Sequence, residues 1–151
     1  MVQNKVGAGM KCLIVDDDEA QRLEYMRIVH DLGFSCHDTD RIAQALYLLK
    51  SNRFDVILLD WHVQDGMTVQ LVDFIEFRGD AVVIILITGG GEFPNGEISS
   101  IWPRIDYVVR KPVNLSDLSA LLSYAIPTLN ENLREGISAQ PPVAPKKRGS
   151  R

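Results

Sequence analysis

The chain has 151 residues, 46% of them hydrophobic and 24% charged, which leaves room for one domain with a real core and hardly for two. No apolar run approaches the ~20 residues that span a bilayer, and Met1 to Met10 lacks the charged-then-apolar layout of a secretory signal, so a cytoplasmic protein is expected. The formal net charge is −4, but Lys146, Lys147, Arg148 and Arg151 lie at the far end and leave about −8 for the body before them; an acidic body repels nucleic-acid phosphates and argues against direct binding.

In chain order, residues 1–10 read as a flexible leader. Lys11 to Val15 is a short apolar run stopped by Asp16, Asp17, Asp18 and Glu19, as suits a buried strand feeding a loop, and Asp18 can cap the helix that follows. Leu23, Met26, Val29 and Leu32 recur every three residues and predict an amphipathic helix closed by Gly33. Phe34 to His37 is a second strand. Asp40 is the expected N-cap of a second helix, whose Ile42, Ala45, Leu46 and Leu49 share a face. Phe54 to Leu59 is a continuous strand ending in Asp60, and a turn through Asp65 and Gly66 leads into a helix over roughly Met67 to Arg78. Ala81 to Ile87, apolar throughout, suits a strand covered on both faces.

Glycines 89, 90, 91 and 96 with Pro94 and Pro103 leave at best a short helix near Glu97 to Trp102, since glycine costs about 1 kcal/mol and proline about 3 in a helix interior. Ile105 to Val109 is a fifth strand. The last helix starts near Asn114 or Ser116, with Leu118, Leu121, Leu122 and Ala125 on one face. The domain is expected to span 11–127, followed by an extension over 128–151 with room for one more turn and a disordered basic tail. Cys12 and Cys36 fall inside strands, where a buried free thiol behaves as a small apolar side chain.

Strands alternating with helices five times over imply βαβ units and a mostly parallel sheet with helices on both faces. In such sheets ligands bind beyond the carboxyl ends of the strands. Those positions hold Asp16 and Asp17 after the first strand, Asp60 after the third, Thr88 after the fourth and Lys111 after the fifth. At ~5 Å and an effective dielectric of ~20, two carboxylates repel by roughly 3 kcal/mol. Three together want a cation, and hard oxygen ligands suit Mg²⁺. Lysine, hydroxyl and metal around one carboxylate are what phosphoryl transfer to that carboxylate requires.

Val15-Asp16-Asp17, Val56-Ile57-Leu58-Leu59-Asp60, Ile87-Thr88-Gly89 and Arg110-Lys111-Pro112 resemble the receiver domain of two-component response regulators, over about Lys11 to Ala125. The resemblance implies a flavodoxin-like, doubly wound five-stranded parallel sheet of order 2-1-3-4-5. It implies that Asp60 accepts a phosphoryl group from a sensor histidine kinase or phosphotransfer protein. It also implies that Asp17 binds Mg²⁺ directly and Asp16 largely through water, with the backbone carbonyl of His62 completing the site. Lys111 would pair with one phosphoryl oxygen and Thr88 with another. The chain would act as a stand-alone receiver switching the binding surface of a downstream protein; a homodimer is left open, and no membrane partner is expected. No enzyme activity is expected beyond self-catalysed phosphotransfer and slow loss of the phosphate.

The sequence departs from the family in three places. Gln64 stands where a proline is usual. The fourth helix is short or absent. The aromatic switch residue, usually three positions before the lysine, would be Val108, with Tyr107 one position earlier; a bulge at Arg110 would bring Tyr107 into place. Two other functions compete. One is a phosphorylation-independent docking module on a degenerate receiver fold. The other is an aspartyl-phosphate phosphatase of the haloacid-dehalogenase type, which would need an aspartate where His62 stands.

Overall fold

The computed structural model describes residues 5–63, 65–89 and 102–134. Its elements, in order, are β1 (Lys11–Val15), α1 (Glu19–Asp31), β2 (Ser35–Thr39), α2 (Ile42–Ser51), β3 (Val56–Asp60), β4 (His62–Val63), β5 (Gly66–Met67), α3 (Val69–Arg78), β6 (Val83–Thr88), β7 (Tyr107–Arg110) and α4 (Leu115–Arg134). Five strands form one parallel sheet in the order β2-β1-β3-β6-β7, and β4 pairs with β5 in a separate antiparallel hairpin. Counted without the hairpin, the order is the expected 2-1-3-4-5. A fourth helix near Glu97 to Trp102, Gln64 and the basic tail lie outside the described residues, apart from Trp102 itself.

Alternation along the strands divides the core in two. Leu13, Val15, Ile57, Leu59, Ile84 and Leu86 face α2 and α3. Cys12, Ile14, Val56, Leu58, Ile85 and Ile87 face α1 and α4. Both faces of the central strands are therefore covered, which is why β3 and β6 are apolar up to their last residues, Asp60 and Thr88. Each fully buried Leu or Ile contributes about 1.5–3 kcal/mol, and this double layer holds the strand ends in place.

Four expectations need correction. First, Leu23 is not on the buried face of α1. At about 100° per residue, a strict three-residue spacing turns by about 180° between Leu23 and Leu32, so the two cannot share a stripe. Tyr25 and Val29, four apart, are buried instead, and Leu23 is 54% exposed. Second, Asp40 does not cap α2. The helix has no cap from its own flank; Asp65, from the far side of β3, accepts from the Ile42 amide at 2.6 Å and the Ala43 amide at 3.3 Å.

Third, residues 5–10 are not loose. The Gly7 amide donates to the Leu32 carbonyl at 2.7 Å, and the turn packs on Phe34 so closely that a Cβ at Gly7 would lie 2.3 Å from the ring. Fourth, the last helix continues through Pro127 to Arg134, about two turns where one was expected. Other expectations match: Asp18 caps α1 through the Gln21 amide at 3.2 Å, Gly33 takes φ 100 just after it, and Asn114 caps α4 through the Asp117 amide at 3.0 Å. Among the described residues, no helix is long and apolar enough to cross a membrane.

Candidate functional site

Register builds the site. Val15 pairs with Leu59 across β1 and β3, so one residue further on Asp16 comes beside Asp60. The carboxylates of Asp16, Asp17 and Asp60 each offer an oxygen within 4.8 Å of the others. Asp16 is 1% and Asp60 3% exposed, while Asp17 is half-buried. Lys111, just beyond β7, reaches Asp60 Oδ2 with its Nζ at 3.3 Å, and its backbone N–H donates to the Thr88 carbonyl at 2.8 Å.

Three acids and one lysine leave the cluster short of positive charge. Asp16 shows the strain of it. Its Oδ1 accepts from the Asp18 amide at 2.8 Å, but its buried Oδ2 has no hydrogen-bond partner among the described residues. An orphaned buried carboxylate oxygen is costly. Burial pushes the Asp16 carboxyl up to about 6; the Asp18 amide opposes this, the Asp60 charge adds to it, and Lys111 opposes it. A hard divalent cation would satisfy the orphan oxygen and the charge excess together, so these residues fit Mg²⁺.

The loop after Asp60 is held from several sides. The His62 amide donates to Asp60 Oδ1 at 3.3 Å. Thr68, buried, donates its hydroxyl to the carbonyls of Asp60 and Trp61 at 2.8 and 2.9 Å. Asp65 ties the hairpin tip to α2, and those amides hold its carboxyl below the usual range. On the β1 side, Arg22 donates to the Asp16 carbonyl at 2.8 Å and pairs with Asp38 at 3.0 Å. The sequence reading missed Arg22, Asp65 and Thr68 as supports. Thr68, eight residues past the acceptor and just ahead of α3, had the one local signal, since a threonine there reads as a helix cap.

Thr88 is fully buried at the end of β6, and its hydroxyl donates to the Gly89 carbonyl at 3.3 Å. Tyr107 does not lie beside it. β7 pairs with β6 without offset, Ile85 to Tyr107 through Thr88 to Arg110, so the bulge that would have realigned Tyr107 does not occur. Tyr107 is buried on the α1–α4 face, and burial pushes its hydroxyl up to about 12. Val108 packs on the opposite face, the one to which Thr88 belongs by alternation. Trp61 and Trp102, both half-buried, pack against each other beside the α2–α3 core, ring centroids 5.1 Å apart. With the hairpin they line a shallow cleft of about 230 Å³.

Residues 12–123 match the family model of the response regulator receiver domain. The acid tolerance regulatory protein ActR of Rhizobium meliloti (strain 1021) is 26% identical over 117 residues, 78% of this chain and 60% of that protein. The two-component response regulator ORR24 of Oryza sativa subsp. indica is 30% identical over 129 residues, 78% of this chain and 19% of that protein. The matched region thus spans less than two thirds of each of these relatives. Among solved structures, a CheY-like receiver domain protein from Methanospirillum hungatei JF-1 superposes with a TM-score of 0.71 at 25% identity, covering 84% of this chain and 98% of that one. The signal receiver domain of a Luxo repressor protein from Vibrio parahaemolyticus superposes at 0.74 with 17% identity, covering 87% and 98%.

Proposed function

The chain belongs to the response regulator receiver domain family, and from that premise we propose that Asp60 accepts a phosphoryl group from a sensor histidine kinase or phosphotransfer protein and thereby switches a partner-binding surface. The observation that supports this most is a buried Asp60 set between two further carboxylates and the Lys111 ammonium.

An Asp60 carboxylate oxygen attacks phosphorus; the new O–P bond forms as the P–N bond to the donor imidazole breaks, and the imidazole keeps the electron pair. Asp16, Asp17, Asp60 and the His62 carbonyl are the groups that would hold Mg²⁺. Bound there, Mg²⁺ supplies charge neutralisation for the incoming phosphoryl oxygens. The His62 amide and Lys111 hold the Asp60 carboxylate in orientation before transfer. Afterwards the Lys111 ammonium pairs with one phosphoryl oxygen, and the Thr88 hydroxyl leaves the Gly89 carbonyl to donate to another. That exchange is available only when the phosphate is present, so it biases the end of β6 between two arrangements. With Val108 on Thr88's side of the sheet and Tyr107 on the other, Tyr107 is not the residue Thr88 moves toward in this switch.

The test is the intact mass of the protein after incubation with Mg²⁺ and acetyl phosphate. One added phosphoryl group in the parent and none in Asp60→Asn is the expected result. No addition under conditions that label a control receiver would overturn the proposal.

A further inference from the structure

A second pair of reactive side chains meets away from the acidic cluster. Cys12 and Cys36 are direct partners in the parallel ladder between β1 and β2, and both are free thiols. They lie on the same face of the sheet: Cys12 is fully buried in the α1–α4 core, and the half-buried Cys36 packs against that core. Neighbouring strands run about 4.7–4.9 Å apart, inside the Cα separation of about 4.4–6.8 Å at which disulfides form.

Neither sulfur is engaged elsewhere by a strong partner. Cys12 Sγ reaches the Leu13 carbonyl at 3.9 Å and Cys36 Sγ the His37 carbonyl at 3.6 Å, each the next residue of its own strand. Burial, and then the Cys36 thiol beside it, push the Cys12 thiol up, so Cys12 stays protonated at neutral pH. Cys36, on the edge strand and closer to solvent, is the sulfur an oxidant reaches first.

We propose that Cys12 and Cys36 are an oxidisable pair that closes an intramolecular disulfide across β1 and β2. With a peroxide as oxidant, the Cys36 thiolate attacks one peroxide oxygen, the O–O bond breaks, and a sulfenic acid forms with release of hydroxide. The Cys12 sulfur then attacks the Cys36 sulfur; the S–S bond forms, and the sulfenic oxygen departs as water with the Cys12 proton. The net change is two thiols and one peroxide to one disulfide and two waters. The Cβ atoms must draw in from the strand spacing to about 3.8 Å, which makes the bond readily reduced by external thiols, the property of a reversible switch. It would close the β1–α1–β2 unit four residues before Asp16. The proposal rests on strand register alone and stands or falls separately from phosphorylation at Asp60.

The experiment treats the full chain with hydrogen peroxide at neutral pH, then denatures, alkylates and weighs it. The expected result is a monomer lighter by two hydrogens that takes no alkyl groups, regains two after dithiothreitol, and in Cys36→Ser keeps Cys12 alkylatable throughout. Added oxygen on Cys36 with Cys12 still alkylated, a disulfide between chains, or two free thiols after oxidation would each overturn it. The parent protein carries the decisive reading, so the result does not depend on how well a variant folds.

Discussion

At the amino-terminal edge of the sheet, three aspartates stand ahead of strands and each has its answer. Asp55 accepts from the Lys11 amide at 2.8 Å. Asp80, 7% exposed, is paired with Arg53 and Arg78. Asp106 accepts from the Ile84 amide at 2.8 Å and from Arg104 at 2.9 Å. At the carboxyl edge, among the described residues, Asp16, Asp17 and Asp60 share one lysine, and a buried oxygen of Asp16 has no partner. The same residue type serves the fold at one edge and works against it at the other. A carboxylate whose charge is met by the protein stabilises the fold; one left unmet points to something the protein binds.

That contrast can be broken in descending order of effect. Asp60→Asn is expected to abolish labelling by acetyl phosphate altogether while leaving the fold intact, as read by mass and circular dichroism. Asp80→Ala does the reverse. It strips charge-assisted hydrogen bonds from Arg53 and Arg78 and is expected to cost about 2 kcal/mol in urea unfolding, with the acceptor still labelled. Asp16→Asn keeps the bond from the Asp18 amide and removes a repelled, desolvated charge. It should raise the stability of the metal-free protein by on the order of 1 kcal/mol and remove most of the stabilisation that Mg²⁺ gives the parent.

The pH dependence has a definite sign. The Asp16 carboxyl is raised in the folded protein from 3.8 to about 6, so between those values the native state holds more protons than the unfolded chain. Stability of the metal-free protein therefore falls as pH rises through about 4 to 6 and levels off above. Mg²⁺ needs the ionised form, so its effect on the melting temperature should be large at pH 7.5 and small at pH 5. The smallest effect is expected from Asp65→Ala: a modest drop in melting temperature from the uncapped α2, measured by calorimetry.

The site was largely legible because it obeys a positional rule. Largely apolar strands, with Asp16, Asp60, Thr88 and Lys111 at or just past their carboxyl ends, place those residues on one edge wherever the helices lie. What escaped the sequence depends on partners far apart in the chain. Asp65 caps a helix that begins 23 residues before it, which no local capping pattern contains. Gly7 looked like slack chain until Leu32 and Phe34 were set beside it. Whether Tyr107 or Val108 faces Thr88 turns on one residue of register, settled only by the pairing of β7 with β6. Cys12 and Cys36 read singly as apolar filler; the β1–β2 register makes them a pair.

The most direct test of Asp60 as the point where unmet charge becomes chemistry is to trap the acyl phosphate. The protein is labelled with acetyl phosphate and Mg²⁺, reduced with borohydride, and mapped by peptide mass spectrometry. An aspartyl phosphate is converted to homoserine, and that conversion is expected at residue 60 and nowhere else. Homoserine at position 16 or 17, or at none of the three in labelled protein, would contradict it.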